Sequence, residues 1–230
     1  MLIQALATDF DGTLALHGEV TAATLAALTR FKASGRRLVM VTGRELPDLG
    51  RVFPHLGLFD MVVAENGALL YRPDMAEERP LAAAPPQALI AALTRRRVEP
   101  LNVGQVIVAT VREFEMHVAN AIEELGLDWR MILNKDSIMC LPAGVDKASG
   151  LKTAAVELGL SLDQVLAVGD AENDLAFFAV CGLSAAVTNA LPAVKAAADV
   201  VTVGEAGVGV EWLIERVLDG SLTSERADAV

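Results

Sequence analysis

The sequence predicts an α/β fold with a doubly wound parallel-sheet core and a small α+β insertion, and three observations carry that expectation. Short runs rich in Val, Ile and Leu alternate with longer stretches of helical periodicity, which is the pattern of βαβ units. Acidic or glycine-containing turns follow several of those runs, at the carboxyl ends of strands where open α/β sheets place their ligands. The rhythm breaks once, in the middle of the chain, and then resumes.

The first expected strand is Ile3 to Thr8. A helix from Thr21 to Ala33 follows, capped by the Thr21 hydroxyl and ended by Gly35. Arg37 to Val41 is the second strand, Glu45 to Phe53 a short helix, and Met61 to Ala64 the third strand, after which ENGALLYRP turns into an extended segment. RPDMAEERPLAAAPP carries four prolines and suits a linker better than a strand. Beyond it come a helix (Gln87 to Arg97), a strand (Val103 to Val111), a helix (Glu113 to Leu125) and a hairpin of Trp129 to Leu133 and Ser137 to Leu141 joined through NKD. From Gly144 the earlier pattern returns: helix Lys147 to Leu158, strand Val165 to Val168, helix Glu172 to Val180, strand Leu183 to Val187, helix Leu191 to Ala197, strand Val200 to Val203, helix Gly209 to Leu218. GEAGVGVE reads as a loop entering that last helix, and the tail after Gly220 as frayed.

Composition narrows the function. At 230 residues the chain has room for a large core, or roughly 1.5 domains at ~150 residues each. Nineteen Lys and Arg against 30 Asp and Glu give a net charge of −11, and 4% of residues are aromatic. Nucleic-acid binding is thereby disfavoured, since it draws on a basic field and stacking rings. The longest apolar run, Leu175 to Val187, is interrupted by Gly182 and Ser184 and falls short of the ~18 residues of a membrane span. MLIQALATDF lacks the basic start of a signal peptide, so the expected location is cytoplasmic. Cys140 and Cys181 lack metal-ligand spacing and are expected to be buried, reduced thiols.

Four segments carry chemistry. In DFDGT, residues two apart in an extended chain share a face, so Asp9 and Asp11 present two carboxylates together before Gly12 turns the backbone. Four such fixed positions recur by chance once in ~10⁵ places. VTGR offers Thr42, whose bland reading is a helix cap. GVDKASGLK puts Lys147 at a helix start, where it opposes the macrodipole unless it has a task there. GDAEND crowds Asp170, Glu172 and Asp174 at a strand-to-helix turn, more acids than capping needs. Asp9 and Thr42 are 33 positions apart (42 − 9) and Lys147 and Asp170 are 23 apart (170 − 147), each about one βα unit; Thr42 and Lys147 are 105 apart (147 − 42). The excess marks an insertion of αβαββ character at residues 81–142, splitting a core made of 1–80 and 143–230.

In their order, these motifs resemble the haloacid dehalogenase superfamily of phosphohydrolases, with ENGA at Glu65 to Ala68 and TNA at Thr188 to Ala190 as smaller matches. The insertion resembles the cap of the superfamily's Cof-type (IIB) branch, small as in members similar to phosphoglycolate and sucrose-phosphate phosphatases. The resemblance implies a Rossmann-like core and a cytoplasmic, magnesium-dependent phosphatase acting on a small phosphate monoester, phosphoglycolate or a sugar phosphate, through an aspartyl phosphate. It implies Asp9 as nucleophile and Asp11 as general acid and base. Phosphate would be held by Gly12, Thr42, Gly43 and Lys147. Mg²⁺ would be held by the Asp9 carboxylate, the Asp11 main-chain carbonyl and Asp170, with Asn173 and Asp174 behind them. Substrate-binding candidates are Arg44, Asn66, Asn189, Arg112, Asn134 and Lys135, with Glu113 beside them; Arg44 either binds substrate or pairs with Glu45 or another acid. Two alternatives stand: phosphoryl transfer to a sugar, as in phosphomutases, and a receiver-like phospho-acceptor module, against which ENG follows the third strand where the phosphorylated aspartate would lie. Oligomeric state is open.

Overall fold

A computed structural model of the protein describes residues 3–222. Its elements are β1 (Ala5–Thr8), α1 (Ala22–Ala33), β2 (Arg37–Val41), α2 (Leu46–Val52), β3 (Met61–Ala64), β4 (Leu69–Arg72), β5 (Glu77–Pro80), α3 (Gln87–Arg95), β6 (Asn102–Val103), β7 (Val108–Val111), α4 (Glu115–Glu124), β8 (Trp129–Asn134), β9 (Ser137–Pro142), α5 (Lys147–Glu157), β10 (Val165–Gly169), α6 (Leu175–Phe178), β11 (Leu183–Ala186), α7 (Pro192–Ala197), β12 (Val200–Val201) and α8 (Ala206–Leu218).

The larger sheet has the order β12-β11-β10-β1-β2-β3-β4-β5. It is parallel from β12 to β3 and antiparallel from there to β5. The chain order reverses on either side of β1, so the carboxyl ends of β1, β2 and β10 open on one crevice, the position where doubly wound sheets bind ligands. Every residue of β1, β3 and β10 is buried, as expected of strands covered on both faces. Fully buried Phe10, Phe31, Leu6, Leu28 and Leu38 are among the largest side chains of the core, each contributing ~1.5–3 kcal/mol by leaving water.

A second, antiparallel sheet, β6-β7-β9-β8, lies within residues 102–142. It packs against α3 and α4 through its own cluster, which includes Leu89, Leu93, Val108, Val118 and Ile138. A small apolar seam joins the two sheets: Ala68 meets Val106, Ile107, Met139 and Leu141.

Several elements depart from the sequence reading. The proline-rich linker contains β5, paired to β4 from Leu69↔Pro80 to Arg72↔Glu77. Its four side chains are all exposed, so no apolar alternation announced it, and Pro80 is tolerated because the strand is an edge. The single strand expected over Val103 to Val111 is two, β6 and β7, folded back through a turn closed by Gly104 N–H to Ile107 O at 2.9 Å. Glu172 to Val180 is a 3₁₀ turn at Glu172–Asp174 followed by the short α6. The last helix begins at Ala206, so GEAGVGVE is mostly helix. Cys140 is buried and Cys181 only half-buried; both are free thiols, pushed up to about 12 by burial. Among the described residues, no helix is long and apolar enough to cross a membrane. The expected fraying after Gly220 falls largely on residues 223–230, outside the described ones.

Candidate active site

The site is built at the ends of β1, β2 and β10, together with the first residue of α5. Past β1 the Asp9 amide donates to Val168 O of β10 at 3.0 Å, which carries the sheet one residue further. Phe10 is fully buried, while Asp9 and Asp11 on either side of it line a cavity of about 700 Å³, as strand alternation requires. Gly12 then turns with φ +83°, and a Cβ there would stand 2.4 Å from Asp170 Oδ2. Only glycine fits, by conformation and by space.

Thr42 is fully buried. Its Oγ1 accepts the Arg44 amide at 3.1 Å, which leaves the hydroxyl proton free to donate. Gly43 and Arg44 line that cavity. The Arg44 guanidinium grips Asp11 through Nε and Nη2, both at 2.7 Å, and also bonds Asp48. Of the two readings open for Arg44, the structure therefore shows pairing with acids, and the principal partner is Asp11 rather than Glu45.

Lys147 opens α5, whose cap is the Asp146 side chain accepting Ser149 N–H at 2.8 Å. Its ammonium is 1% exposed and sits 2.6 Å from both Asp9 Oδ1 and Asp174 Oδ1. That arrangement answers the macrodipole conflict, because two carboxylates outweigh the helix end. Asp174 is the organiser of the turn: its Oδ2 accepts the amides of Asp170 (2.7 Å) and Ala171 (2.9 Å). One ammonium cannot neutralise three acids. Burial, reinforced by Asp174 and Asp170 and only partly opposed by Lys147, pushes Asp9 up to about 8. Burial also raises Asp170, against the pull of Lys135. For Lys147 burial acts downward, but Asp174 and Asp9 prevail and hold it above the ordinary lysine value.

Oxygen atoms of Asp9, Asp170 and Asp174 all lie within 4.8 Å of one another and are buried. An all-carboxylate set of this kind suits a hard divalent cation. A second observation agrees: Asn173 is buried beside the cluster, and its Oδ1 accepts no hydrogen bond among the described residues, an acceptor suited to a cation's water. These residues thus fit a metal.

From the other side, the β8–β9 hairpin lowers its tip into the cavity. Asn134 and Lys135 line it. Lys135 Nζ is 2.6 Å from Asp170 Oδ2, and its amide donates to Glu172 at 3.0 Å. Arg112 and Glu113 do not line the cavity; the Arg112 amide donates to Asp136 O of the hairpin turn at 2.8 Å, and its side chain lies 3.9 Å from Glu115. Asn66 is fully buried and accepts from Asn173 Nδ2 at 2.9 Å. Asn189 donates to Gly12 O at 2.8 Å and accepts from the Ala206 amide, which makes both asparagines braces of loops. Sequence reasoning passed over three residues here. Thr13 donates to Asp170 at 3.2 Å and stood inside DFDGT without a role. Asp48, four residues after Arg44, was findable as an i,i+4 ion pair. Glu65, which binds the backbone of residues 105–107, stood inside the ENGA match without a role.

A model of the haloacid dehalogenase-like hydrolase family matches residues 6–110 and 130–214. The chain belongs to this family. It is a phosphatase of the superfamily, which sets aside the receiver-like alternative. A phosphoglycolate phosphatase of Pyrobaculum aerophilum is 32% identical over 96% of this chain and 98% of its own length, and one of Halorubrum lacusprofundi is 31% identical over 90% and 96%. Among solved structures, a Thermoplasma acidophilum protein superposes with a TM-score of 0.80 at 18% identity, covering 95% of this chain and 99% of its own. A subclass IIB sugar phosphatase superposes with a TM-score of 0.74 at 20% identity, covering 95% and 100%. The haloacid dehalogenase fold, in its Cof-type form, is therefore that of this chain, and superfamily phosphatases typically use a divalent metal at such an acidic cluster.

Proposed function

We propose that this phosphatase hydrolyses a small phosphate monoester with a second anionic group, phosphoglycolate foremost, using Mg²⁺ and an aspartyl phosphate on Asp9. The observation that carries the reading is Asp9 itself, a buried carboxylate 2.6 Å from the buried ammonium of Lys147 at the floor of a cavity large enough for a metabolite. Relatives over the whole chain that are named phosphoglycolate phosphatases support that choice of substrate. A sugar phosphate is the second reading, favoured by a cavity of about 700 Å³, more than a two-carbon acid needs.

Asp9 attacks phosphorus, forming the acyl phosphate as the bond to the leaving oxygen breaks. Asp11 gives that oxygen its proton, then takes one from water, which attacks the same phosphorus, frees inorganic phosphate and restores the Asp9 carboxylate. Water as acceptor distinguishes this from the phosphomutase alternative, which would return the phosphoryl group to a sugar. Arg44, bonded to Asp11 through two nitrogens, aims that carboxyl group. Gly12, Thr42, Gly43 and Lys147 cradle the phosphoryl oxygens. The Asp9 carboxylate, the Asp11 carbonyl and Asp170 would hold the cation, with Asn173 and Asp174 behind; when bound, it supplies charge that lets a phosphate dianion approach a carboxylate. Residues 81–142 act as a cap, and Asn134 and Lys135 meet the part of the substrate beyond the phosphate.

Phosphate release from phosphoglycolate and a panel of hexose phosphates tests this. Wild type with Mg²⁺ should turn over phosphoglycolate, while chelator or Asp9→Asn should abolish release. Wild-type turnover by Asp9→Asn would remove the nucleophile assignment, and a preference for hexose phosphates would transfer the substrate to the second reading.

A further inference from the structure

We infer that Glu65 is a positioning residue: its carboxylate pins the β6–β7 loop to the phosphate-binding loop and so fixes where the cap stands above Asp9. The inference rests on the reading of residues 81–142 as a cap, and it assigns Glu65 no chemical step.

Glu65 is 1% exposed. Its Oε1 accepts the Gln105 amide at 2.8 Å, and its Oε2 accepts those of Val106 (2.8 Å) and Ile107 (2.9 Å). Three successive amides converging on one carboxylate form a backbone anion nest, and bonds to an ionised acceptor are the stronger kind. No basic side chain takes part in these bonds; the buried charge is answered by the cap's backbone. Separation of cap from core at this point would break all three charge-assisted bonds together, so the joint favours staying closed.

The same turn also grips the core. Glu65 N–H donates to Arg44 O and Asn66 N–H to Thr42 O, both at 2.9 Å. To do so, Glu65 and Asn66 adopt φ of +50° and +55°. A left-handed glutamate is uncommon and persists where surrounding contacts over-determine it. On the cap side, the approach is close enough that a Cβ on Gly104 would stand 2.6 Å from Glu65 Oε1. Ile107, the last of the three amides, lines the cavity with Ala109. Glu65 thus ties the segment that would hold the phosphate, Thr42 to Arg44, to a cap wall that would face the rest of the substrate. The distance between those two contacts is a specificity parameter, since remote binding serves catalysis only when geometry is held.

Hydrogen exchange and steady-state kinetics on Glu65→Gln test the pin. The amide presents a donor to N–H groups that need an acceptor, so exchange at Gln105, Val106 and Ile107 should rise by roughly tenfold or more, while β1 and β10 keep their protection. KM for the preferred substrate should rise more than kcat falls, and Glu65→Asp should recover part of the loss. Gly104→Ala disturbs the joint from the cap side and should give the same local signature if Glu65→Gln does not fold. Unchanged exchange at residues 105–107 and unchanged KM in a folded Glu65→Gln protein would overturn the pin. The exchange result is independent of substrate identity, so failure of the phosphoglycolate reading shows in the substrate panel and not here.

Discussion

Lys147 and Lys135 each set an ammonium 2.6 Å from an aspartate of one acidic cluster, yet the first is 1% exposed and the second 45%. Lys147 comes from a helix start locked by the Asp146 and Ser149 capping box, and its charge is shared by two buried carboxylates. Its departure would leave Asp9 and Asp174 facing each other without a counter-charge. Lys135 comes from the tip of a two-stranded hairpin and holds one carboxylate with its side chain half in water. Water can solvate that ammonium when it leaves, and another anion can take the carboxylate's place as its partner. The floor of the cavity therefore carries a fixed charge and the roof a movable one. For the proposed phosphatase reaction that division is useful: the phosphoryl group would meet the same geometry in every turnover, while the group beyond it would meet a contact that can yield.

The sharpest way to break the contrast is Lys147→Met. Removing one member of a buried ion cluster leaves uncompensated charge and costs about 3–5 kcal/mol of stability. Urea denaturation should show that loss, and phosphate release should fall to background in the protein that remains folded. A loss under 1 kcal/mol would mean that the floor is as yielding as the roof.

A second test uses pH on metal-free protein. Asp9 is raised in the folded state from 3.8 to about 8, so over that interval the folded protein holds a proton that the unfolded chain has released. Its contribution to stability is complete below about 3.8 and is lost as pH rises through about 8. Denaturation midpoints of metal-free protein should fall between pH 5 and pH 9, and Mg²⁺ should flatten the slope by supplying the missing counter-charge. A midpoint that rises over the same range without metal would show that Lys147 neutralises Asp9 completely.

The same division between floor and roof explains what could be read in the sequence. Asp9, Thr42, Lys147 and Asp170 stand at strand ends or helix starts, where residue type, local pattern and chemistry coincide within a few positions. The structure gathers Asp9, Lys147 and Asp170 in one cluster, with Thr42 at the neighbouring end of β2. The roof offered no such agreement. Lys135 and Arg112 looked alike as polar residues near a strand end, and only the folded chain sends Lys135 to Asp170 and Arg112 toward Glu115, off the cavity. Glu65 and residues 105–107 are joined across about 40 positions by backbone amides, which have no sequence identity to detect. Strand β5 was hidden for a related reason: with four exposed side chains, its pairing too is a backbone matter.

Lys135→Met gives the smallest effect and the finest test of the contrast. Lys135 is half in water while Asp170 is buried, and the variant leaves one buried carboxylate without its ammonium where Lys147→Met leaves two, so the denaturation midpoint should move less than in Lys147→Met. The change should appear in KM: if the Lys135 ammonium passes from Asp170 to the substrate's second anion, its loss should raise KM for phosphoglycolate by about tenfold, or 1.4 kcal/mol. An uncharged alkyl phosphate offers no anion for it to take, and its KM should rise by less. Mg²⁺ titration followed by calorimetry completes the test. With the ammonium gone from Asp170, the variant should bind the cation more tightly than wild type in the absence of substrate. Weaker binding would mean that Lys135 orders the carboxylate for metal instead of competing with it, and the roof's charge would then belong with the fixed set.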